Sequence, residues 1–353
     1  MHVDYLIVGQ GISGTFLSYY LRSAGKSVLV IDKPLSNTAS RIASGVINPV
    51  TGRRIVTTWM IDELLPFAKK AYQEIGKLLG ESIVDECSIL EFHPTLQMQE
   101  AFNTRLAESA DYLSSVNNEQ NWEPIFNYHF GIGKVSPALH LDLQTLLNGY
   151  RSFLQKENLL FEDVLEEQYL TIKDDSVQYK DIVASKIFFC DGVAGILHPY
   201  FDKLPFAFNK GEAIIAEIPD LPNQYIYKQG LSLVPWDKEK QLFWIGSTYT
   251  WKYDDVLPTK DFSEKVKFQL DNWLKLPYKI VDHFAAERPA NVERRPFVGL
   301  HPQFPNIGIL NGMGTKGCSL APFFAKEIVD LLLSGKPINP LADVGRFARV
   351  LAR

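Results

Sequence analysis

The first part of the chain alternates short apolar runs with an amphipathic pattern. Leu6-Ile7-Val8 and Val28-Leu29-Val30-Ile31 are continuous apolar runs, a pattern typical of strands buried on both faces of a parallel sheet. Gly25 stands where the intervening helix should end. The apolar residues of that helix recur at helical spacing: Ile12, Phe16, Leu17, Tyr20 and Leu21. The pattern predicts a strand, helix, strand unit at the start of the chain.

Apolar spacing further along predicts more helices and a second kind of sheet. Amphipathic helices are predicted over 60–79, 98–113 and 142–154, and a strand follows at 159–161. The last segment returns to the opening pattern, with a strand at 307–310, a glycine-rich turn, and a helix over 320–333 that carries Pro322 in its first turn. Short apolar runs separated by turns predict an antiparallel β region: 177–179, 186–190, 213–216 and 242–245.

Composition narrows the class of protein. The chain has 353 residues, 46% of them hydrophobic, which is enough for two domains with buried cores. Three widely spaced cysteines fit neither a disulfide framework nor a zinc site, and the histidines lack metal-ligand spacing, so we predict a reducing compartment and no metal. No apolar run is long enough to cross a membrane, and a cytoplasmic location is expected. The net charge of -5 makes a nucleic acid partner unlikely.

The turn after the first strand carries Gly9-Gln10-Gly11-Ile12-Ser13-Gly14, a G-x-G-x-x-G motif. Gly9 permits the tight turn, Gly11 lets a pyrophosphate approach the backbone, and Gly14 lets helix and strand pack closely. The N–H groups and the dipole at the helix start favour a phosphate. Asp32 ends the next strand, where an acid accepts hydrogen bonds from ribose hydroxyls. The motif predicts an adenine dinucleotide but does not distinguish NAD from FAD.

A second glycine-rich turn, Gly312-Met313-Gly314-Thr315-Lys316-Gly317, also precedes a helix. Its backbone N–H groups are suited to a second negative centre, such as the pyrimidine end of a reduced flavin ring. An ordinary close connection also uses glycine in this way, so the pattern alone leaves both interpretations open. The acidic residue that a second nucleotide site needs does not follow this turn, which makes a pyridine-nucleotide oxidoreductase the weaker hypothesis.

Together these segments resemble the glycine oxidase and D-amino-acid oxidase family of flavoproteins over nearly the whole chain. Residues 39–46 are similar to the small-residue stretch that passes over the flavin, 161–164 to the adenine-contacting strand, and 189–192 to the family's A-x-G segment. Cys318 does not match the cysteine that holds flavin covalently in sarcosine oxidases, so the resemblance implies non-covalent FAD. The residues expected to bind FAD are Gly9, Gly11, Ile12, Ser13, Gly14, Asp32, Lys33, Ser40, Arg41, Gly45, Val164, Gly192, Gly312, Gly314, Thr315, Lys316 and Gly317.

The most specific match lies near the end of the chain. Glu287-Arg288-Pro289 and Arg295-Pro296-Phe297-Val298-Gly299, followed by Gly308 and the second glycine turn, keep the order and spacing of the family signature. The resemblance implies an α/β fold with two parts. A discontinuous, Rossmann-like FAD-binding domain would comprise residues 1–50, 140–204 and 290–353. An α+β substrate domain, built on an antiparallel sheet, would comprise residues 51–139 and 205–289.

The family resemblance implies an FAD-dependent oxidoreductase. Such an enzyme oxidises the C–N bond of an amino acid or N-substituted glycine by hydride transfer to flavin N5, and the imine is then hydrolysed. Oxygen or another acceptor would reoxidise the flavin. Arg288 matches the family's carboxylate-binding arginine, whose guanidinium can grip a carboxylate through two parallel hydrogen bonds.

Other candidate substrate contacts follow from the same alignment. Lys316, in the second glycine turn with Thr315, has three interpretations: it helps to anchor the carboxylate, it stabilises reduced flavin, or it is a solvated lysine at the start of the helix. Tyr249 and Tyr227 are candidates for the pocket wall. Ser232 stands where glycine oxidase has an active-site tyrosine, which argues against glycine itself as the substrate.

A narrower resemblance gives a second hypothesis. Ala39-Ser40 with residues 45–49, then residues 246–249 and 314–322, look like the oxidase domain of the bifunctional enzyme that modifies the wobble uridine of tRNA. That domain removes a carboxymethyl group from a secondary amine oxidatively. A third hypothesis, a flavin-binding scaffold or sensor without enzyme activity, predicts that FAD binds but that no amine reduces it.

Overall fold

The computed structural model describes residues 1–109 and 111–352 of the chain. Within them, short 3-10 turns cover Glu119–Trp122, Glu167–Tyr169, Gly192–Leu197 and Val344–Phe347. The α-helices are α1 (Ile12–Ser23), α2 (Ala39–Ile42), α3 (Ile61–Leu79), α4 (Leu96–Glu108), α5 (Leu143–Lys156), α6 (Lys260–Trp273), α7 (Gly317–Ser334) and α8 (Ala348–Leu351).

The β-strands of the described residues follow in chain order. The first nine are β1 (His2–Val8), β2 (Val28–Ile31), β3 (Val46–Ile47), β4 (Val50–Thr51), β5 (Val56–Thr57), β6 (Val84–Phe92), β7 (Leu113–Ser115), β8 (Ile132–Leu141) and β9 (Leu160–Phe161). The others are β10 (Leu170–Ile172), β11 (Val177–Tyr179), β12 (Ile182–Phe189), β13 (Asn209–Glu217), β14 (Tyr225–Gln229), β15 (Leu231–Asp237), β16 (Leu242–Gly246), β17 (Lys279–Arg288), β18 (Phe297–Leu300) and β19 (Ile307–Asn311).

The first of the two large sheets is mainly parallel. Its strand order is β10-β11-β12-β1-β2-β9, and β19 pairs with β12 and carries β18 at its other edge. β1 runs parallel to both β2 and β12, as the continuous apolar runs of the sequence predict. Helices α1 and α7 pack together on this sheet through apolar residues that include Phe16, Leu320 and Phe324. The predicted α/β fold is confirmed.

The second sheet is mainly antiparallel and has the order β17-β13-β16-β15-β14-β6-β8-β3, with β7 added beside β8. One pair, β14 and β6, runs parallel. One face packs on α6 through Leu233, Phe243 and Trp273, while the other face carries a separate apolar cluster. The two sheets take their strands from interleaved parts of the chain, and the proposed domain boundaries stay a prediction.

Two details of the predicted helices are wrong. The helix predicted over 98–113 ends at Glu108, because Leu113 pairs with Val135 of β8 and so belongs to a strand. Pro322 lies in the second turn of α7 rather than the first, since this helix begins at Gly317. A proline there cannot donate to the carbonyl four residues earlier, and the hydroxyl of Tyr72 donates to Cys318 O instead, at 2.9 Å.

Candidate cofactor and substrate site

A cavity of about 1140 Å³ lies between the two sheets. The parallel sheet contributes the ends of β1, β2 and β19 and the segments that follow β1, β2 and β12. The antiparallel sheet contributes side chains of β6 and β13 to β17. The cavity is larger than most small-ligand sites, which hold roughly 300–1000 Å³, and has room for an extended cofactor together with a substrate.

The first glycine turn forms one wall of this cavity. Gly9 has a φ of +95°, and a Cβ there would lie 2.7 Å from Cys190 O. Gly9, Gly11, Ile12 and Ser13 line the cavity. Gly14 does not; a Cβ on it would overlap the carbonyl oxygen of Gly9, so this glycine lets α1 lie against β1. The division of roles among the glycines is the one that a dinucleotide turn requires.

Asp32 is held at the cavity by two hydrogen bonds. Gln10 N donates to Asp32 Oδ1 at 2.8 Å, and Arg151 Nη1 donates to Oδ2 at 2.6 Å. The buried Arg151 also bridges to Glu162 Oε1 at 2.7 Å. Sequence reasoning missed Arg151, although it lies on the apolar face of α5 beside Leu147 and Tyr150, which is an unusual place for an unpaired charge.

The other residues predicted to bind FAD divide into two groups. Lys33, Ser40, Arg41, Val164 and Gly192 all line the cavity, and Ile12 N donates to Ser40 Oγ at 3.2 Å. Gly45 does not line it. Its φ is +73°, and a Cβ there would overlap the carbonyl oxygen of Leu141. Gly45 therefore lets β3 approach the end of β8 and does not itself face the cavity.

The second glycine turn lies beside the first. Gly314, Thr315 and Gly317 line the cavity, and a Cβ on Gly317 would lie only 3.5 Å from Cγ2 of Ile12. Gly312 stays behind the wall, with a φ of +75°, and its carbonyl accepts a hydrogen bond from Asn291 Nδ2 at 2.9 Å. The first turn of α7, like that of α1, carries no acidic side chain. Two helix N-termini thus face one cavity, where they favour negative charge.

Arg288, at the end of β17, lines the cavity from the antiparallel sheet. Its Nη1 donates to Asn209 Oδ1 at 2.8 Å and to Thr248 O at 3.0 Å, and its Nη2 donates to Ser247 Oγ at 2.9 Å. The aromatic ring of Tyr249 lies 4.8 Å from the guanidinium carbon. Burial lowers the pKa of Arg288, but a guanidinium stays charged in proteins.

The neighbouring strand leaves space for this guanidinium. Gly211 on β13 lies beside Arg288, and a Cβ on Gly211 would overlap Nη2 of that arginine. Among the described residues, no carboxylate oxygen lies within 4.0 Å of an Arg288 guanidinium nitrogen, the distance that defines an ion pair. The arginine is therefore fixed by neutral groups and keeps its charge available for a ligand.

The remaining substrate candidates differ in position. Tyr249 lines the cavity with 58% of its surface exposed. Lys316 caps α7 from a half-buried position and is not among the described residues of the cavity wall. Burial, with a smaller effect of the Lys228 ammonium, lowers the pKa of Lys316 to about 8. Tyr227 is excluded from the pocket, because it lies on the opposite face of β14, where its hydroxyl donates to Pro222 O at 2.6 Å.

Sequence reasoning also missed two groups of charged residues in the cavity wall. Glu91 and Lys228 form an ion pair of 2.8 Å on the antiparallel sheet. His198, near the first sheet, bonds Asp191 Oδ2 through Nε2 at 2.6 Å and Glu167 through Nδ1. Burial lowers the pKa of His198, but the two carboxylates outweigh it and raise the pKa above its ordinary value.

Comparison with known proteins gives the family. A family model described as FAD dependent oxidoreductase, DAO, matches residues 4–331. The chain belongs to this family. The resemblance drawn from the two glycine turns and the arginine signature is thereby confirmed, and so is the dependence on FAD. The family and its FAD cofactor both fit the observed cavity. Its wall contains a glycine turn, the Asp32 carboxylate held by hydrogen bonds, and a second helix N-terminus.

The DAO relatives cover nearly the whole chain. A glycine oxidase of Pseudomonas aeruginosa is 22% identical over 366 residues, which cover 97% of this chain and 98% of the relative. The solved glycine oxidase of Geobacillus kaustophilus has a TM-score of 0.78 at 16% identity and covers 97% of this chain and 98% of its own. The solved iminodiacetate oxidase from a Chelativorans species has a TM-score of 0.73 at 18% identity. The match covers 95% of this chain and 96% of the oxidase. In the described part of this DAO chain, no helix has the length and apolar character of a membrane span.

Proposed function

We propose that the protein oxidises the C–N bond of an amino acid or N-substituted glycine whose carboxylate is held by Arg288. The observation that carries the proposal is the Arg288 guanidinium, which lines the same cavity as both glycine turns and is fixed there by neutral partners. A guanidinium matches a carboxylate in shape and charge, and two parallel hydrogen bonds would orient the substrate. Relatives named glycine oxidase and iminodiacetate oxidase support an amine that carries a carboxylate.

The first glycine turn, Asp32 and the second glycine turn are the proposed cofactor contacts. Backbone N–H groups of Gly11 and Ser13 would face the pyrophosphate, and the Asp32 carboxylate would accept from a ribose hydroxyl. FAD, when bound, supplies the electron acceptor for amine oxidation. Non-covalent binding is part of the proposal: burial raises the pKa of the Cys318 thiol to about 12, which disfavours the reactive thiolate at neutral pH.

The antiparallel sheet would orient the substrate and exclude water. Ala213, Ile226, Val234 and Trp244 give its cavity face an apolar character. An amine held against such a surface loses water on one side, and Arg288 fixes the other end of the molecule. No general base is required in this proposal, because a neutral amine provides its own electron pair. Oxygen or another acceptor would complete the cycle.

Ser232 favours an N-substituted substrate over glycine. It lines the cavity on β15, between Gly246 and Lys228 in the sheet. The family resemblance implies that glycine oxidase has a tyrosine at this position. A serine leaves about one aromatic ring of additional space, which a substituent on the amine nitrogen would fill. We therefore propose a secondary amine that carries a carboxymethyl group.

A carboxymethylated tRNA uridine is the second candidate substrate. One observation favours it: Trp251, 58% exposed, follows the cavity residue Tyr249 by two positions. Exposed aromatic side chains can stack unpaired bases. Anaerobic incubation with tRNA should bleach the flavin if this candidate is correct, and an unchanged spectrum would remove it.

The free cysteines Cys87, Cys190 and Cys318 support a reducing compartment such as the cytoplasm for either substrate.

Anaerobic reduction of the bound flavin tests the main proposal. We expect sarcosine or a larger N-alkyl glycine to bleach the flavin, and Arg288→Ala to raise the concentration needed by about 100-fold or more, because two charge-assisted hydrogen bonds are lost. FAD content should not change. Arg295→Ala is the matched control, since Arg295 packs over Trp59 outside the cavity wall. If both variants behave like the wild type, Arg288 is not the anchor.

A further inference from the structure

The antiparallel sheet carries a buried ion pair that the proposed reaction does not use. Lys228 Nζ lies 2.8 Å from Glu91 Oε1, and both residues line the cavity. The side chain of Glu91 is 3% exposed and that of Lys228 is 21% exposed. Burial of two charges costs several kcal/mol per ion before the attraction between them is counted. Stability alone is therefore a weak reason for this pair.

The pair faces the cavity because of strand alternation. Leu90, Tyr227 and Leu233 point to the α6 side of the sheet and belong to its apolar core. Their neighbours at Glu91 and Lys228 consequently point to the other side. The sequence gives little sign of this placement, since 137 residues separate the two partners.

Lys228 and the carboxylate anchor lie at a defined separation. Gly246, Ser232, Lys228 and Glu91 are direct partners in successive strands and form one row across the sheet. Arg288 Nη2 bonds Ser247, the residue that follows Gly246. Since neighbouring strands lie about 4.8 Å apart, the backbone of Lys228 is roughly 10 Å from that of Gly246. A ligand held by Arg288 therefore has to extend across β15 to reach Lys228.

The charges of the pair indicate what would bind. Lys228 has three N–H donors, of which Glu91 occupies one, and its ammonium is the more exposed member of the pair. The second oxygen of Glu91 is buried and has no hydrogen-bond partner among the described residues. Glu91 neutralises Lys228 within the pair, and the remaining cation close enough for Lys228 to affect its pKa, Lys316, is outside the cavity wall of the described residues. Such a donor suits a neutral carbonyl better than a second carboxylate.

We infer that Lys228 is a specificity residue that donates a hydrogen bond to a carbonyl at the far end of the substrate's N-substituent. Glu91 is its positioning residue, holding the ammonium at the cavity wall. Ser232 lies between Lys228 and Gly246 in the row, and its small side chain leaves space for the substituent to extend from Arg288 towards Lys228. This inference rests on the proposed function, because it takes Arg288 as the anchor of the other end. The substrate class it names is an N-carboxymethyl amine with an amide, imide or similar carbonyl on its substituent.

Equilibrium binding to the FAD-loaded protein tests the subsite without turnover. The probes are (benzylthio)acetate and (4-carbamoylbenzylthio)acetate, in which sulfur replaces the oxidisable nitrogen. They differ only by an amide at the end of the ring. Titrations followed by flavin absorbance should show that the wild type binds the amide compound about 10- to 100-fold more tightly, the gain expected for one hydrogen bond from a charged donor.

The decisive variant removes both charges together. Glu91→Leu with Lys228→Met avoids leaving one buried charge unpaired, which a single change would do. The preference for the amide compound should fall to nearly one, while the affinity for the simple benzyl compound stays within about twofold. The matched control is Asp85→Leu with Lys238→Met, which removes an exposed pair of 2.6 Å that also involves β6. It should keep the preference.

Two results would overturn the subsite: equal binding of the two probes by the wild type, or a preference that survives the double change. A surviving preference together with an altered flavin spectrum would assign Lys228 to the cofactor. The same titrations with N-benzylglycine under anaerobic conditions test the proposed function separately, since only the amine can reduce the flavin. Bleaching without amide preference contradicts the subsite alone. Absence of bleaching contradicts the proposed function, and the thioacetates still decide the subsite.

Discussion

The two walls of the cavity are built in different ways. The parallel sheet supplies mainly backbone groups, from glycines and from two helix N-termini. It adds the Asp32 carboxylate, which Gln10 N and Arg151 hold. The antiparallel sheet supplies side chains, among them Arg288, Lys228 and Ser232, presented from one face of several strands. Backbone groups are the same in every residue, so a wall built from them suits a cofactor that does not change. A wall built from side chains can be adapted to another substrate by amino-acid substitution. The comparison implies that cofactor binding and substrate preference are separable.

Gly14→Val should have the largest effect and should damage the cofactor wall. Its Cβ would overlap the carbonyl oxygen of Gly9, so α1 could not lie against β1. We expect a protein that purifies without flavin or does not fold, measured as the ratio of flavin to protein absorbance. Gly25→Ala is the control, because its Cβ meets nothing within 4 Å and costs only about 1 kcal/mol for the positive φ. Full flavin content in Gly14→Val would contradict the assignment of this turn.

Gly211→Ala should damage the substrate wall alone. Its Cβ would displace the Arg288 guanidinium, which is the mobile end of a long side chain, so the fold should survive. We expect at least a tenfold weaker binding of carboxylate ligands, comparable to the loss of one charge-assisted hydrogen bond, with normal flavin content. Ligand titration of flavin absorbance measures both. Loss of flavin in this variant would show that the two walls are not separable.

Arg151→Met tests a buried side-chain contact that supports the cofactor wall. The change leaves Asp32 without its ionic partner, and we expect about tenfold weaker FAD binding and a Tm lower by several degrees. Arg22→Met is a matched control, because Arg22 sits 3.6 Å from Glu157 on the surface. Fluorescence titration of the apoprotein with FAD gives the affinity. Equal behaviour of the two variants would remove Arg151 from the site.

The smallest expected effect is a pH dependence at Lys316. Its pKa of about 8 lies below the ordinary lysine value, so the charged form is disfavoured in the folded state. The unfolded chain binds more protons than the folded chain between about pH 8 and 10.4, and stability there should rise with pH. Lys316→Met should therefore stabilise the protein most below pH 8 and progressively less above it. Denaturant unfolding at several pH values measures this, and a constant difference would contradict the burial of the amine.

The parts that sequence predicted are those where local residues dictate backbone geometry. The G-x-G-x-x-G turn, Asp32 and the second turn are visible because a tight approach of backbone to ligand needs glycine at fixed spacing. Arg151 and the Glu91–Lys228 pair were missed because their partners lie 119 and 137 residues away. Tyr227 is a pocket candidate that the structure excludes, since a strand face cannot be assigned until its register is known.

A carboxylate that cannot be oxidised tests most directly whether the two walls serve one site. Titration of the FAD-loaded protein with (methylthio)acetate should perturb the flavin absorption spectrum to saturation, because a ligand gripped by Arg288 would lie against the flavin. The perturbation should disappear in Arg288→Ala and persist in Arg295→Ala. A spectrum that does not respond in the wild type, or that responds equally in Arg288→Ala, would contradict the single shared site.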